Sequence, residues 1–146
     1  MPEKKTTEKA KRDLKQGKRP STAAGEFVHE EIEHIRQGKH GARSTKQAIA
    51  IGLSKARRAG VPLPVPEKGQ TSEATRRSAK RELATAQGKR KARPTSRKRS
   101  KATRRALERE PRAAASSAAL SRQAKSAASR RRRRSSPQAS TGASAA

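Results

Sequence analysis

The chain has 146 residues, with 39 Lys or Arg against 12 Asp or Glu and a formal net charge of +27. Hydrophobic residues make up 29%, but 27 residues are alanine and only 14 are Leu, Ile, Val or Phe, a balance that with such charge reads as largely disordered. There is no Cys, which excludes disulfides and thiolate metal sites, and the longest apolar run is far short of the roughly 20 residues that a membrane span needs.

Residues 3–16 permit a charged helix whose apolar residues are Ala10 and Leu14. Beyond it, ten of the 14 large apolar residues fall between Phe27 and Val65. Pro20 is followed by Ser21 and Thr22, both good N-caps. Ala24, Val28, Ile32 and Ile35 then recur at helical spacing, Phe27 lies beside them, and Gly38 supplies a stop. Glu31 projects into this apolar stripe.

A short basic connector, residues 39–43, leads to a second N-cap candidate, Ser44. Ala48, Ile49, Gly52, Leu53, Ala56 and Ala59 share one arc of a helix ending at Gly60, with Lys46, Arg57 and Arg58 opposite. Two helices with so short a connector predict an αα-hairpin, with Phe27, Val28, Ile32, Ile35, Ile49 and Leu53 as its core. Val61-Pro62-Leu63-Pro64-Val65-Pro66 cannot be helical and reads as a stiff extended strut able to cover the open side of the hairpin.

Downstream, Ser72 to about Gln87 permits a further helix, with Leu83 its one large apolar residue. Such a helix is marginal without a partner. Residues 88–105 hold ten basic residues and no acid. Residues 112–129 are Ala- and Ser-rich; they tolerate helix but offer no face to bury. The run Arg130 to Arg134 and a small-residue tail close the sequence.

Enzyme motifs fail. His29 and His34 flank glutamates in a way that suggests a zinc-protease helix, but that motif needs histidines at i and i+4. Here they are at i and i+5. No phosphate-binding glycine loop or nucleophile elbow occurs. A non-enzyme without cofactor or metal is expected.

The basic residues point to polyanions, because counterion release drives cationic arms onto phosphate backbones. In the hairpin the candidates are Lys39, His40, Arg43, Lys46, Arg57 and Arg58. Arg76, Arg77, Lys80, Arg81, Lys89, Arg90, Lys91 and Arg93 follow. The rest are Arg97, Lys98, Arg99, Lys101, Arg104, Arg105, Arg130, Arg131, Arg132, Arg133 and Arg134. One Phe, no Tyr or Trp, and no Asn leave neither a stacking platform for single-stranded bases nor the Asn–adenine contact. Phosphate-dominated, sequence-tolerant binding remains.

The stretch KHGARSTKQAIAIGLSKARRAG at residues 39–60, with MPEKK at 1–5 and GEFV at 25–28, resembles a family of small basic bacterial proteins of unknown function. Some of these are called DNA-binding or histone-like. The resemblance covers about residues 1–66 and implies a bacterial, cytoplasmic protein without implying an established activity. The later arms resemble bacterial histone H1-like tails in composition alone.

The expected fold is mostly α with extensive disorder: an αα-hairpin at about 21–60, flanked by cationic, conditionally helical or disordered arms, with no β-sheet. The expected segments are an N-terminal arm (1–20), the hairpin, a proline-rich strut (61–70), a basic arm (71–110) and a low-complexity tail (111–146). The expected function is sequence-independent nucleic-acid binding, on DNA rather than RNA, as a nucleoid-associated, histone-like coating or compacting protein in the cytoplasm, away from membranes. Two alternatives are a protein-interaction hairpin tethered to nucleic acid by its arms and an RNA- or ribosome-associated disordered stress protein. A hairpin this small also predicts self-association or a protein partner.

Overall fold

The structure is a computed structural model, and it describes residues 2–135. The end of the expected tail, residues 136–146, lies outside the described residues, as does Met1. Among the described residues six α-helices follow in order: α1 (Lys4–Lys15), α2 (Pro20–Arg36), α3 (Thr45–Arg58), α4 (Glu73–Ala86), α5 (Arg97–Arg109) and α6 (Ser117–Ser135). A 3-10 turn at Ala113–Ala115 joins the last two. Among the described residues there is no β-strand, and a single bridge pairs Lys68 with Thr71.

The pair α2 and α3 packs most extensively, and local signals set its limits. The Ser44 hydroxyl accepts a hydrogen bond from the Gln47 amide at 3.2 Å, capping α3. At the start of α2 the expectation needs correcting. Pro20 occupies the first helical turn and Arg19 stands at the cap position without a side-chain cap, so Ser21 and Thr22 lie inside the helix. Proline's fixed φ already suits that position, and its missing N–H would be unpaired there anyway. Gly38 and Gly60 end α2 and α3 at positive φ, and the next amides bond back to the His34 and Ala56 carbonyls, closing both helices in Schellman turns.

Helices α2 and α3 meet at Gly52. A Cβ built on Gly52 would lie 2.7 Å from the Val28 Cα, so the absent side chain is what lets the two backbones touch. Gly52→Val is expected to push the helices apart and cost about 2–3 kcal/mol. Urea unfolding followed by helical circular dichroism checks this, and an unchanged midpoint would contradict it.

The core differs from the expected list. Phe27, Ile32 and Ile35 are buried, but Val28, Ile49 and Leu53 are only partly covered. Nine of the 14 buried hydrophobic residues among the described ones are alanines. One cluster gathers Ala10 of α1, Ala23, Ala24 and Phe27 of α2, Ala56 of α3, and Val61 and Leu63 of the strut. The N-terminal segment is therefore a packed helix against α2, and the strut covers the hairpin.

The second cluster joins Ile32, Ile35, Ala42 and Ala48 to Ala114 and Ala115, with Leu120 packed against it. The expectation that residues 112–129 have no face to bury is thus overturned at its start. The Thr45 hydroxyl donates to the Ala114 carbonyl at 2.6 Å, and Arg36 Nε donates to the Ala115 carbonyl at 3.0 Å. Small side chains bring that backbone close enough for both bonds.

The arms are helical, with uneven packing. Helix α4 lies against α3, buries Ala79, and is capped by Ser72 accepting from the Thr75 amide at 3.2 Å. Helix α5 buries no residue. No described helix is long and apolar enough to cross a membrane.

Candidate nucleic-acid interface

Helix α5 carries seven basic residues in 13, and none forms an ion pair among the described residues. Its C-terminal end is tied to the hairpin connector. The Gly41 amide donates to the Leu107 carbonyl at 2.8 Å, and the Ala42 amide to the Pro111 carbonyl at 3.1 Å. Held at that end and unpacked along its length, α5 leaves a cleft of about 750 Å³ between itself and α3. Lys39, Lys55 and Arg58 line it from the hairpin, and Arg99 and Arg104 from α5. Leu107 lines it as well.

The wall of this cleft includes a buried charge. Glu31, the residue that interrupts the apolar stripe of α2, is 1% exposed. Its Oε1 pairs with Lys55 Nζ. Its Oε2 lies 3.1 Å from His40 Nε2, but out of line for a hydrogen bond. A buried carboxylate is costly unless paired, so Glu31 fixes Lys55 at the cleft and turns His40 inward. The other ring nitrogen of His40, Nδ1, sits 2.9 Å from the Gly41 carbonyl. His40 is thus occupied by the protein, which changes the role expected of it as a phosphate contact.

The structure brings Lys39, His40, Arg58, Arg99 and Arg104 together, residues far apart in sequence. Lys55 was missed by sequence reasoning. The signal was present: a glutamate inside an apolar stripe needs a cation from the facing helix.

The remaining candidates are elsewhere. Lys46, Arg57 and Arg130 line a groove of about 470 Å³ bounded by α3 and α4. Arg57 is half-buried there and reaches the Pro64 carbonyl at 3.5 Å. Arg76 is committed to the protein, 3.1 Å from Glu73 and donating to the Pro66 carbonyl at 2.9 Å. Arg77, Lys80 and Arg81 are exposed on α4, and Lys89, Arg90, Lys91 and Arg93 are exposed between α4 and α5. Arg43 is exposed in the connector; Arg97, Lys98, Lys101 and Arg105 are exposed on α5, and residues 130–134 at the end of α6. The cations therefore form a cleft with extended basic edges rather than one flat face.

Among the described residues, two groupings bring histidine and carboxylate ligand atoms together: Glu31 with His34 and His40, and Glu3 with Glu30 and His34. His29 belongs to neither. Lys55 already occupies Glu31, which disfavours a metal in the first grouping. Comparison with protein-family models, curated proteins and solved structures finds no match to this chain.

Proposed function

We propose that the protein is a non-enzymatic, sequence-independent nucleic-acid-binding protein that coats or compacts DNA in a nucleoid. The observation that carries this reading is the five-cation cleft between α3 and α5, continued by exposed basic side chains on α4, α5 and α6. Its five cations outnumber the two carboxylates of its lining, Glu108 and the Lys55-paired Glu31; an excess of one sign of charge concentrates a polyanion, and guanidinium groups match phosphate oxygens two at a time.

The arms have a place in this reading. A 13-residue helix with seven cations and no buried residue gains little from its own sequence. Phosphates laid along α5 would relieve its self-repulsion, so α5 orders on binding and is conditionally disordered without it. Helix α1 shields acids of α2, with Lys9 Nζ 3.0 Å from Glu26, which leaves the α3–α5 side to face the duplex.

A second reading has its own support. The groove bounded by α3 and α4 exposes Ile49, Leu53 and Pro66, which suits a protein partner tethered to nucleic acid by the arms.

Mobility-shift titrations of the full chain on unrelated duplexes, a structured RNA and heparin test the proposal. Similar affinity across duplexes is expected. For 6–10 neutralised phosphates the affinity should fall by about 10³–10⁵ between 50 and 200 mM salt. A flat salt dependence, or strong preference for one sequence, would refute it. Tighter binding to structured RNA than to duplex DNA would overturn the DNA assignment.

A further inference from the structure

The chain carries +27 net charge and only 12 carboxylates, yet four of them line one recess. This recess, about 240 Å³ between α1 and α2, is bordered by Glu3, Glu26, Glu30, Glu33 and His34. Two of the acids are neutralised locally, Glu26 by Lys9 at 3.0 Å and Glu33 by Arg36 at 3.3 Å. Glu3, Glu30 and His34 remain, drawn from positions 31 residues apart in sequence.

Their donor atoms converge. Glu3 Oε1 is 3.2 Å from His34 Nε2, and Glu30 Oε1 is 3.7 Å from the same nitrogen. Two ligands at 2.0–2.2 Å from a tetrahedral ion stand about 3.3–3.6 Å apart, close to the 3.2 and 3.7 Å found to His34 Nε2, and all three ligand atoms lie within 4.8 Å of one another. The Glu30 side chain is 4% exposed. Its Oε1 accepts from the Glu3 amide at 3.1 Å, while its buried Oε2 has no hydrogen-bond partner. A buried carboxylate oxygen with nothing donating to it is expensive, and a cation held by both Glu30 oxygens would satisfy it.

We propose that Glu3, Glu30 and His34 bind one divalent transition-metal cation of the zinc type, with water completing its shell. An imidazole with two carboxylates is a donor set for zinc rather than for magnesium or calcium, which take oxygen alone. The other ring nitrogen, His34 Nδ1, stands 3.8 Å from Glu31 Oε1, beyond hydrogen-bond distance. Lys39 Nζ, 3.8 Å from Glu3 Oε1 and about half exposed, is free to swing into solvent when the ion enters. The ion would staple the start of α1 to α2, a role separate from the basic cleft, and the set differs from the His29–His34 pair that sequence spacing rules out.

Calorimetric titration of ZnCl2 into the full chain, with no tag at its N-terminus, tests the site, and CoCl2 absorption reports the donor geometry. One ion per chain is expected, with a Kd of about 1 µM or tighter. Glu3→Gln, Glu30→Gln and His34→Ala should each weaken it by about tenfold or more, while His40→Ala leaves it unchanged. Glu3 is more than half exposed, so Glu3→Gln reads the site without disturbing the core. No saturable uptake of zinc would overturn the proposal. So would zinc binding that survives Glu3→Gln but is lost in His40→Ala, since the ion would then sit on Glu31, His34 and His40.

Discussion

Phe27→Ala is expected to destabilise the chain by about 3–5 kcal/mol, enough to unfold most of it if its stability lies near the low end of the usual 5–15 kcal/mol. Phe27 is the only aromatic residue and is fully buried. It is the largest side chain of the cluster that α1, α2, α3 and the strut build together from Ala10, Ala23, Ala24, Ala56, Val61 and Leu63. Most of those neighbours are alanines, which have no rotamers with which to collapse into the space left behind. Leu83→Ala, on partly exposed α4, should cost about 1 kcal/mol or less, because little of its surface is removed from water. Thermal melts by circular dichroism compare the two, and equal losses would show that the core is not centred on Phe27.

Reversing Arg58, Arg99 and Arg104 to Glu together should weaken duplex binding by at least about a hundredfold at 50 mM salt. If each contacts a phosphate, the logarithmic salt slope should shrink by about 2.7, at roughly 0.9 per contact. All three line the α3–α5 cleft and none is buried, so helical content should be unchanged. The matched reversal of Arg131, Arg133 and Arg134 removes the same charge from the end of α6. If the cleft is the primary contact, the cleft variant loses far more. Equal losses would mean that net charge alone drives binding and the cleft has no special part.

Much of the hairpin was legible in the sequence. Ser44, Gly38 and Gly60 act locally, through a hydroxyl that caps amides and through glycines that turn the chain at positive φ. Their effect is decided within one helical turn, and the observed ends of α3 agree with it. The same holds for Ser72 ahead of α4, and for the proline strut, whose backbone has few options.

The alanines were not legible as core. Counting only Leu, Ile, Val and Phe sets aside the residue type that fills nine of the 14 buried hydrophobic positions among the described residues. Ala114 and Ala115 look like low-complexity tail, and they are buried because Ile35, Ala42 and Ala48 leave a shallow site for small side chains. No local pattern distinguishes them from Ala124 or Ala128, which are not in that cluster.

The candidate sites divide in the same way. The sequence by itself determined the cationic balance, the lack of aromatic stacking surface, the two hairpin helices and their stops, because composition and local backbone preference need no partner. Tertiary structure alone decided which cations meet. Arg58 and Arg104 share a cleft because the Gly41 and Ala42 amides hold the end of α5. Lys55 enters it because Glu31 must be neutralised where it is buried, and His40 is drawn inward for the same reason. Glu3 reaches His34 only because α1 folds onto α2 through Ala10. Long-range juxtaposition depends on how small side chains let backbones approach, and that information is spread over the whole packed body rather than written at any one position.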